Sequence, residues 1–233
     1  MIEWAINGIS KLALELDSAS YVRAANISDL LDELRVNHSQ EWFRVFCDRL
    51  YYTINQYPQE DWHIALSEFQ LFSKYRGQQL LDRYCDPMSA VCYQGSWLGI
   101  GPLMLLTRNE DVSVDAFDID GNTNLVSEYL CGEWNYVAEN KDVLLLDYDY
   151  KIYVNLITEH LDDISEWRKT LPKGSIVLAS NTDIPDTDHY SCCNSLEEFL
   201  YQLGVLVPLA TDVVTCYRAD GTAMNRWIVL FTA

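Results

Sequence analysis

Apolar residues recur at helical spacing through the first third of the chain. In "ISKLALELD" they are Ile9, Leu12, Leu14 and Leu16, and in "ISDLLDELRV" they are Ile27, Leu30, Leu31 and Leu34. "SQEWFRVFCDRLYYTI" continues with Trp42, Phe43, Val45, Phe46, Leu50 and Tyr51, and Asn37 or Ser39 is placed to cap it. "ALSEFQLFSKYRGQQLLDRYC" predicts a further amphipathic helix, interrupted near Gly77. No strand pattern of useful length precedes Ala90, and Pro58 and Pro87 punctuate the region.

From Ala90 the period changes. "AVCYQ", "VSVDAFDID", "WNYVA", "YKIYVNLI" and "SIVLAS" are strand patterns. Between them, "GPLMLLTRN", "NTNLVSEYLC", "TEHLDDISEWRKTLP" and "SLEEFLYQLG" are helical, the last with Ser195 as cap and Glu198 three residues on. "VVTCYRADGTAMNRWIVLF" predicts a hairpin turning at Asp220-Gly221. Alternation of this kind implies an α/β fold: a doubly wound, seven-stranded, mostly parallel sheet whose closing hairpin adds an antiparallel edge. Residues 1–87 are expected as a helical N-terminal cap and residues 88–233 as the sheet domain, the two packing as one unit.

Composition narrows the function. Of 233 residues 49% are hydrophobic, enough for a sizeable core. The formal net charge of -19, with no Lys/Arg cluster, repels a phosphate backbone and disfavours nucleic acid as a partner. A small molecule, cationic or zwitterionic, suits that field; the acids also serve solubility alone. No apolar run approaches the roughly 20 residues of a membrane span, and the N-terminus lacks a basic start and a small-residue cleavage site. The seven cysteines are odd in number, irregular in spacing and without a C-x-x-C pair, so free, mostly buried thiols in a reducing cytoplasm are expected.

Candidate chemistry concentrates where strands end, since ligands of such sheets bind beyond the carboxyl ends of the strands. "VCYQGSWLGIGPLML" is a strand, a glycine-rich turn and a helix. Gly95 and Gly99 allow close approach of a ligand, or merely a sharp turn, while Gly101 opens the helix. Trp97 stands where many nucleotide-binding loops have another glycine. "AFDID" sets Asp118 at the end of the second strand, spaced from the loop as an acid that accepts from both ribose hydroxyls; a strand-end acid or helix cap is the plainer alternative. Asp142, in "AENKD" after the third strand, is the candidate for an adenine amino group or an exposed loop acid.

This order of parts resembles the class I S-adenosylmethionine-dependent methyltransferases over about residues 88–233. In that family the glycine loop passes the methionine portion of the cofactor, the acid after strand two holds the ribose, and an acid after strand three holds adenine. The resemblance therefore implies a Rossmann-like fold, S-adenosylmethionine as cofactor, and Gly95, Trp97, Gly99, Asp118 and Asp142 as its contacts. A narrower resemblance is to a little-characterised phage and bacterial subgroup. Those chains carry a G-G-W-[YF]-G-type loop, an N-T-x-x-E-H segment and a Q-S-N segment. Here these become Gly95-Ser96-Trp97-Leu98-Gly99, Asn155 to His160, and Ala179-Ser180-Asn181, which makes Trp97 part of the subgroup pattern.

By the strand-end rule Asn155, with Glu159 and His160 opening the next helix, lies at the mouth of the site, as do Ser180, Asn181 and His189. Asn155, His160 and His189 are the candidate catalytic residues; either imidazole can bind or deprotonate an acceptor, or make a structural hydrogen bond. Glu159, Ser180 and Asn181 are candidate substrate contacts. So are Tyr75 and Arg76 of the cap, the guanidinium being suited to the cofactor carboxylate. The spacing of these groups is not a recognised metal-ligand pattern, so no metal is expected. The first reading is a cytoplasmic methyltransferase of a small molecule. A second keeps the cofactor but attacks its aminobutyrate chain, by aminocarboxypropyl transfer or by cyclisation such as azetidine-2-carboxylate formation, releasing methylthioadenosine. A third is a non-enzymatic binding protein on the same fold.

Overall fold

The computed structural model describes residues 40–85, 88–109, 111–146, 149–217 and 221–233. The first two expected helices, both candidate caps Asn37 and Ser39, and Asp220 of the expected hairpin turn lie outside the described residues. Helices α1 (Gln40–Gln56), α2 (Trp62–Ala65) and α3 (Glu68–Tyr84) come first. Then follow β1 (Ala90–Gln94), α4 (Ile100–Leu106), β2 (Ser113–Asp118), α5 (Gly121–Cys131), β3 (Tyr136–Asn140) and β4 (Ile152–Asn155). Helix α6 (Ile164–Thr170), β5 (Ile176–Thr182), α7 (Leu196–Leu203), β6 (Ala210–Tyr217) and β7 (Ala223–Thr232) complete the chain.

The seven strands form one sheet in the order β3-β2-β1-β4-β5-β7-β6. Pairings from β3 to β5 are parallel, and β7 is antiparallel to both β5 and β6. The chain winds outward from β1 to β3, then returns beside β1 as β4. The gap between β1 and β4 is thus the topological switch point, where two successive connections leave on opposite faces and open a crevice.

Alternation of side chains divides two cores. Val91, Tyr93, Val114, Ala116, Val154, Leu178, Ile228 and Leu230 face helices α1 to α5. Cys92, Phe117, Tyr153, Val177, Ala179, Trp227, Val229 and Phe231 face α6 and α7. A buried polar contact on the second face runs from Trp167 Nε1 to Gln94 Oε1 at 2.7 Å.

Helices α1 to α3 pack in the first core. The connections within the sheet domain leave β5, β7 and β6 uncovered on that face, and α3 covers them. It runs unbroken through Gly77, contrary to the expected interruption. A Cβ there would stand 3.0 Å from Leu178 Cδ2, so glycine lets the helix lie close on the sheet. Ser67 caps α3, accepting from the Gln70 N–H at 3.4 Å. Arg49 of α1 caps the other end of the layer: it donates to the Leu130 carbonyl (3.0 Å), the Tyr129 carbonyl and Glu133 Oε1 (2.8 Å) at the C-terminus of α5, where a cation complements the helix dipole.

The expected helix "TEHLDDISEWRKTLP" begins later than its pattern implied. Asp163 accepts from the N–H groups of Ser165 (2.7 Å) and Glu166 (3.2 Å) and so starts α6. Residues Thr158–His160 form a separate 3-10 turn. All seven cysteines are free, six of them buried. Among the described residues no helix is long and apolar enough to cross a membrane.

Gly101 tests the fit between α4 and β1. A Cβ at this position would lie 1.9 Å from the Tyr93 hydroxyl and 2.7 Å from Cζ. In an open helix Gly→Ala stabilises by about 0.5–1 kcal/mol. Here overpacking outweighs that gain, and Gly101→Ala is expected to lose about 1–2 kcal/mol, read as a lower urea midpoint with an unchanged slope.

Candidate functional site

Parallel register carries the predicted groups to one edge of the sheet. Gln94 is level with Phe117 on β2 and Asn155 on β4, and Asp118 is level with Asn140 on β3. The Gly95–Gly99 loop, Asp118, the start of the Asp142 turn and the Asn155–His160 segment therefore all lie beyond the carboxyl ends of four adjacent strands.

Three backbone N–H groups of the loop are hydrogen-bonded. The Gly95 N–H donates to the Phe117 carbonyl (2.7 Å), and the Gly99 N–H to the Ser96 carbonyl (3.0 Å). The Trp97 N–H donates to Asp118 Oδ2 at 2.9 Å. Gly95 and Gly99 have φ of 66° and 80°. A Cβ on Gly95 would meet Ile157 Cδ1 at 2.3 Å, and one on Gly99 would meet Ser127 Cβ at 2.7 Å. Glycine is required at both for close packing as well as for backbone conformation. Trp97 has φ 48°, the one positive value outside glycine among the described residues. That geometry costs an L-residue about 1–2 kcal/mol. It is offset by the bond to Asp118 and by the partly buried indole packed on the first core.

Asp118 is half-buried, and its second oxygen accepts from the Asp120 N–H at 3.0 Å. An ionised carboxylate offers about four acceptor positions, so two remain. Asp120 caps α5 by accepting from the Asn122 N–H (2.8 Å). Asp142 lies on the same edge, but its Oδ1 caps the turn Val143–Leu145 through the Leu144 N–H at 2.9 Å. Beside these acids Ile119 and Leu145 are exposed, at 74% and 79%.

The second half of the site is built on the β4 and β5 ends. Asn155 is buried and its Oδ1 accepts from the Ile157 N–H at 3.1 Å, turning the chain so that Ile157 covers Gly95. Ser180 and Asn181, expected as substrate contacts at the mouth of the site, lie inside the protein. Both are fully buried: Ser180 Oγ donates to the Leu156 carbonyl (2.8 Å), and Asn181 joins Thr158 Oγ1, the Ser191 carbonyl and the Cys193 N–H. They knit the two loops together. Glu159, expected at the N-terminus of a helix, is instead fully buried, with Oε1 accepting from Arg226 Nη2 at 2.7 Å. Tyr75 is buried in the first core. Arg76, expected near the cofactor carboxylate, pairs through Nε with Asp212 Oδ2 (2.7 Å) on edge strand β6, four strands from β1.

His160 and His189, 29 positions apart in sequence, meet edge-to-face with ring centroids 4.6 Å apart. Nδ1 of His160 lies 3.1 Å from the Asp188 carbonyl, and Nδ1 of His189 lies 2.7 Å from the Ile184 carbonyl. An open depression lined by Asp162, Asp163, Tyr190 and Cys192 flanks this pair.

Sequence reasoning missed Arg226 and Lys74. Arg226 is 2% exposed, donates also to the Leu156 carbonyl (2.6 Å), and stacks 5.0 Å from the Phe69 ring. Lys74 is 5% exposed and donates to Gln70 Oε1 at 2.6 Å. A signal existed for each: a cation inside the apolar strand "RWIVLF" and one on the apolar face of "FQLFSKY".

No family model matches the chain, and no curated protein matches it in sequence. Solved structures match its fold. The N-methyltransferase NodS from Bradyrhizobium japonicum superposes over 70% of this chain and 97% of its own, with a TM-score of 0.50 and 14% identity. A Galdieria sulphuraria protein proposed to be a sarcosine dimethylglycine methyltransferase covers 70% and 86%, at TM-score 0.53 and 13% identity. The PH0226 protein of Pyrococcus horikoshii covers 70% and 91%, at 0.54 and 12%. The fold is that of the class I methyltransferases. Within that fold, the loop and Asp118 stand at the switch point of the sheet.

Lys74 gives this region a pH signature. Burial, and secondarily the Arg226 charge, push its ammonium down from 10.5 to about 7, against the opposing pull of Glu159. Between these values the folded protein holds Lys74 neutral while the unfolded chain keeps the proton. The unfolded state binds more protons there, so this contribution to stability rises with pH across that window. Lys74→Met is expected to unfold at higher urea than the parent at pH 6, with the difference shrinking towards pH 10.

Proposed function

We propose that the protein binds S-adenosylmethionine across the Gly95–Gly99 loop and Asp118 and transfers its methyl group to a small-molecule acceptor. The observation that carries this reading is the bond between the Trp97 N–H and Asp118. It locks the loop to an acid with two acceptor positions left, at the switch point of a methyltransferase-like sheet. The residues fit the cofactor's parts. Asp118 takes the two ribose hydroxyls, and the exposed Ile119 and Leu145 offer apolar faces for adenine, with the Asp142 turn beside them. The Gly95–Trp97–Gly99 backbone meets the methionine end.

When bound, the cofactor supplies an electrophilic methyl carbon on a sulfonium. The chain's task is to align a nucleophile and exclude water. Asn155 is a positioning residue that sets Ile157 over Gly95 and carries the chain to His160. Since a carbonyl oxygen only accepts, Nδ1 of each histidine is the donor, and in the neutral imidazole the Nε2 lone pair is open. Those lone pairs suit the heteroatom or the proton of an acceptor. The net charge of -19 supports a small, cationic or zwitterionic acceptor over a nucleic acid.

Calorimetry with S-adenosylmethionine is expected to show binding, weakened about 10- to 100-fold in Asp118→Ala, which loses hydrogen bonds to a charged acceptor. Absence of binding to the parent protein overturns the cofactor reading. Turnover is expected to release S-adenosylhomocysteine; methylthioadenosine in its place would retain the cofactor and refute methyl transfer.

A further inference from the structure

Glu159 leaves a loose end in the buried network. One carboxylate oxygen is bound by Arg226, whereas Oε2 is buried and has no hydrogen-bond partner. A buried carboxylate oxygen without a donor is costly, and one in a native structure points to a missing partner. The partner's direction is indicated by what surrounds it. Glu159, His160 and His189 each present a ligand atom, all within 4.8 Å of one another.

We propose that Glu159, His160 and His189 form a binding site for a divalent first-row transition-metal ion. Three observations converge. The carboxylate is fully buried and one of its oxygens is unsatisfied. Both imidazoles are oriented from behind by backbone carbonyls at Nδ1, which is how metal-ligating histidines are held with the proton on Nδ1 and the Nε2 lone pair free. The loops bearing them are themselves pinned: the Tyr190 and Ser191 N–H groups donate to the Glu159 carbonyl at 2.8 and 3.1 Å. With ligand bonds of about 2.1 Å, ligand atoms stand at most about 4.2 Å apart. The cluster therefore closes slightly on a cation, through rotation of two partly exposed rings.

The donor set selects the ion. Magnesium and calcium take oxygen ligands, whereas two imidazoles and one carboxylate suit zinc, iron(II), cobalt(II) or manganese(II). Arg226 opposes the added charge, and Asp183, Asp186 and Asp188 on the neighbouring loop favour it. Three protein ligands leave open positions, which an acceptor hydroxyl can occupy and where a metal ion lowers its pKa. The site is independent of the cofactor reading, because its test reads metal alone.

Cobalt(II) titrated into the metal-free protein is expected to give visible d–d absorption, displaced by zinc and unaffected by magnesium. His160→Ala and His189→Ala are each expected to weaken cobalt binding about 10-fold or more, and the double variant to abolish the bands. Glu159→Gln also strikes the Arg226 pair and can fail to fold; the partly exposed histidines do not carry that risk, and an unchanged thermal transition verifies it. No cobalt bands in the parent protein, or equal binding by the double histidine variant, overturns the site. Either result leaves S-adenosylmethionine calorimetry, run without metal, to decide the cofactor separately.

Discussion

The ion pair between Glu159 and Arg226 is the contact on which the β4–β5 edge of the candidate site rests. Arg226 comes from β7, Glu159 from the turn after β4, and the same guanidinium reaches the Leu156 carbonyl and lies over Phe69 of α3. Both side chains are all but excluded from water, at 2% and 1% exposed. Removing one member of such a pair leaves an uncompensated buried charge and costs about 3–5 kcal/mol. Apolar pairs of equal volume are often no less stable than buried ion pairs, so a buried pair is weak evidence of stabilisation. What it adds is position: it draws the β4 loop inward onto the sheet and fixes where His160 emerges.

The layer above the pair follows from that demand. Strands β5, β7 and β6 have no helix of their own on one face, and α3 supplies the cover, with Lys74, Phe69 and Gln70 over the charges. Helices α1 and α3 are thus packed partners of the sheet domain. Arg49 fastens α1 to the end of α5, and Gln78 donates to the Gly101 carbonyl at 3.2 Å, joining α3 to α4.

On the other side of the switch point a second constraint operates. The loop after β1 turns through three residues of positive φ, one of them a tryptophan, and Asp118 holds that turn by a single backbone bond. The acid that resemblance assigned to ribose is therefore also part of the loop's architecture. Any loss of Asp118 acts on the loop and on the ligand together.

Much of this was legible in the chain. Alternation from Ala90 determined the strands and most helices, because burial on a sheet and on one stripe of a helix imposes periods of two and 3.6. The glycines and Asp118 were legible because their chemistry is local: a sharp turn, and an acid at a fixed distance beyond it. The network of Ser180, Asn181, Glu159 and Arg226 was not. Its members are far apart in sequence, and nothing local distinguishes a polar residue that will face solvent from one that the sheet register will bury. Periodicity also set a helix start at Thr158, where the Asp163 cap and the inward pull on Glu159 moved it to Ile164. The sequence by itself determined the elements, their order and the glycine loop after β1, all products of near-neighbour sterics and hydrophobic period. Only the tertiary structure decided which polar groups meet, and so brought two histidines from separate loops beside one buried carboxylate, because contacts between distant segments depend on how the strands pair.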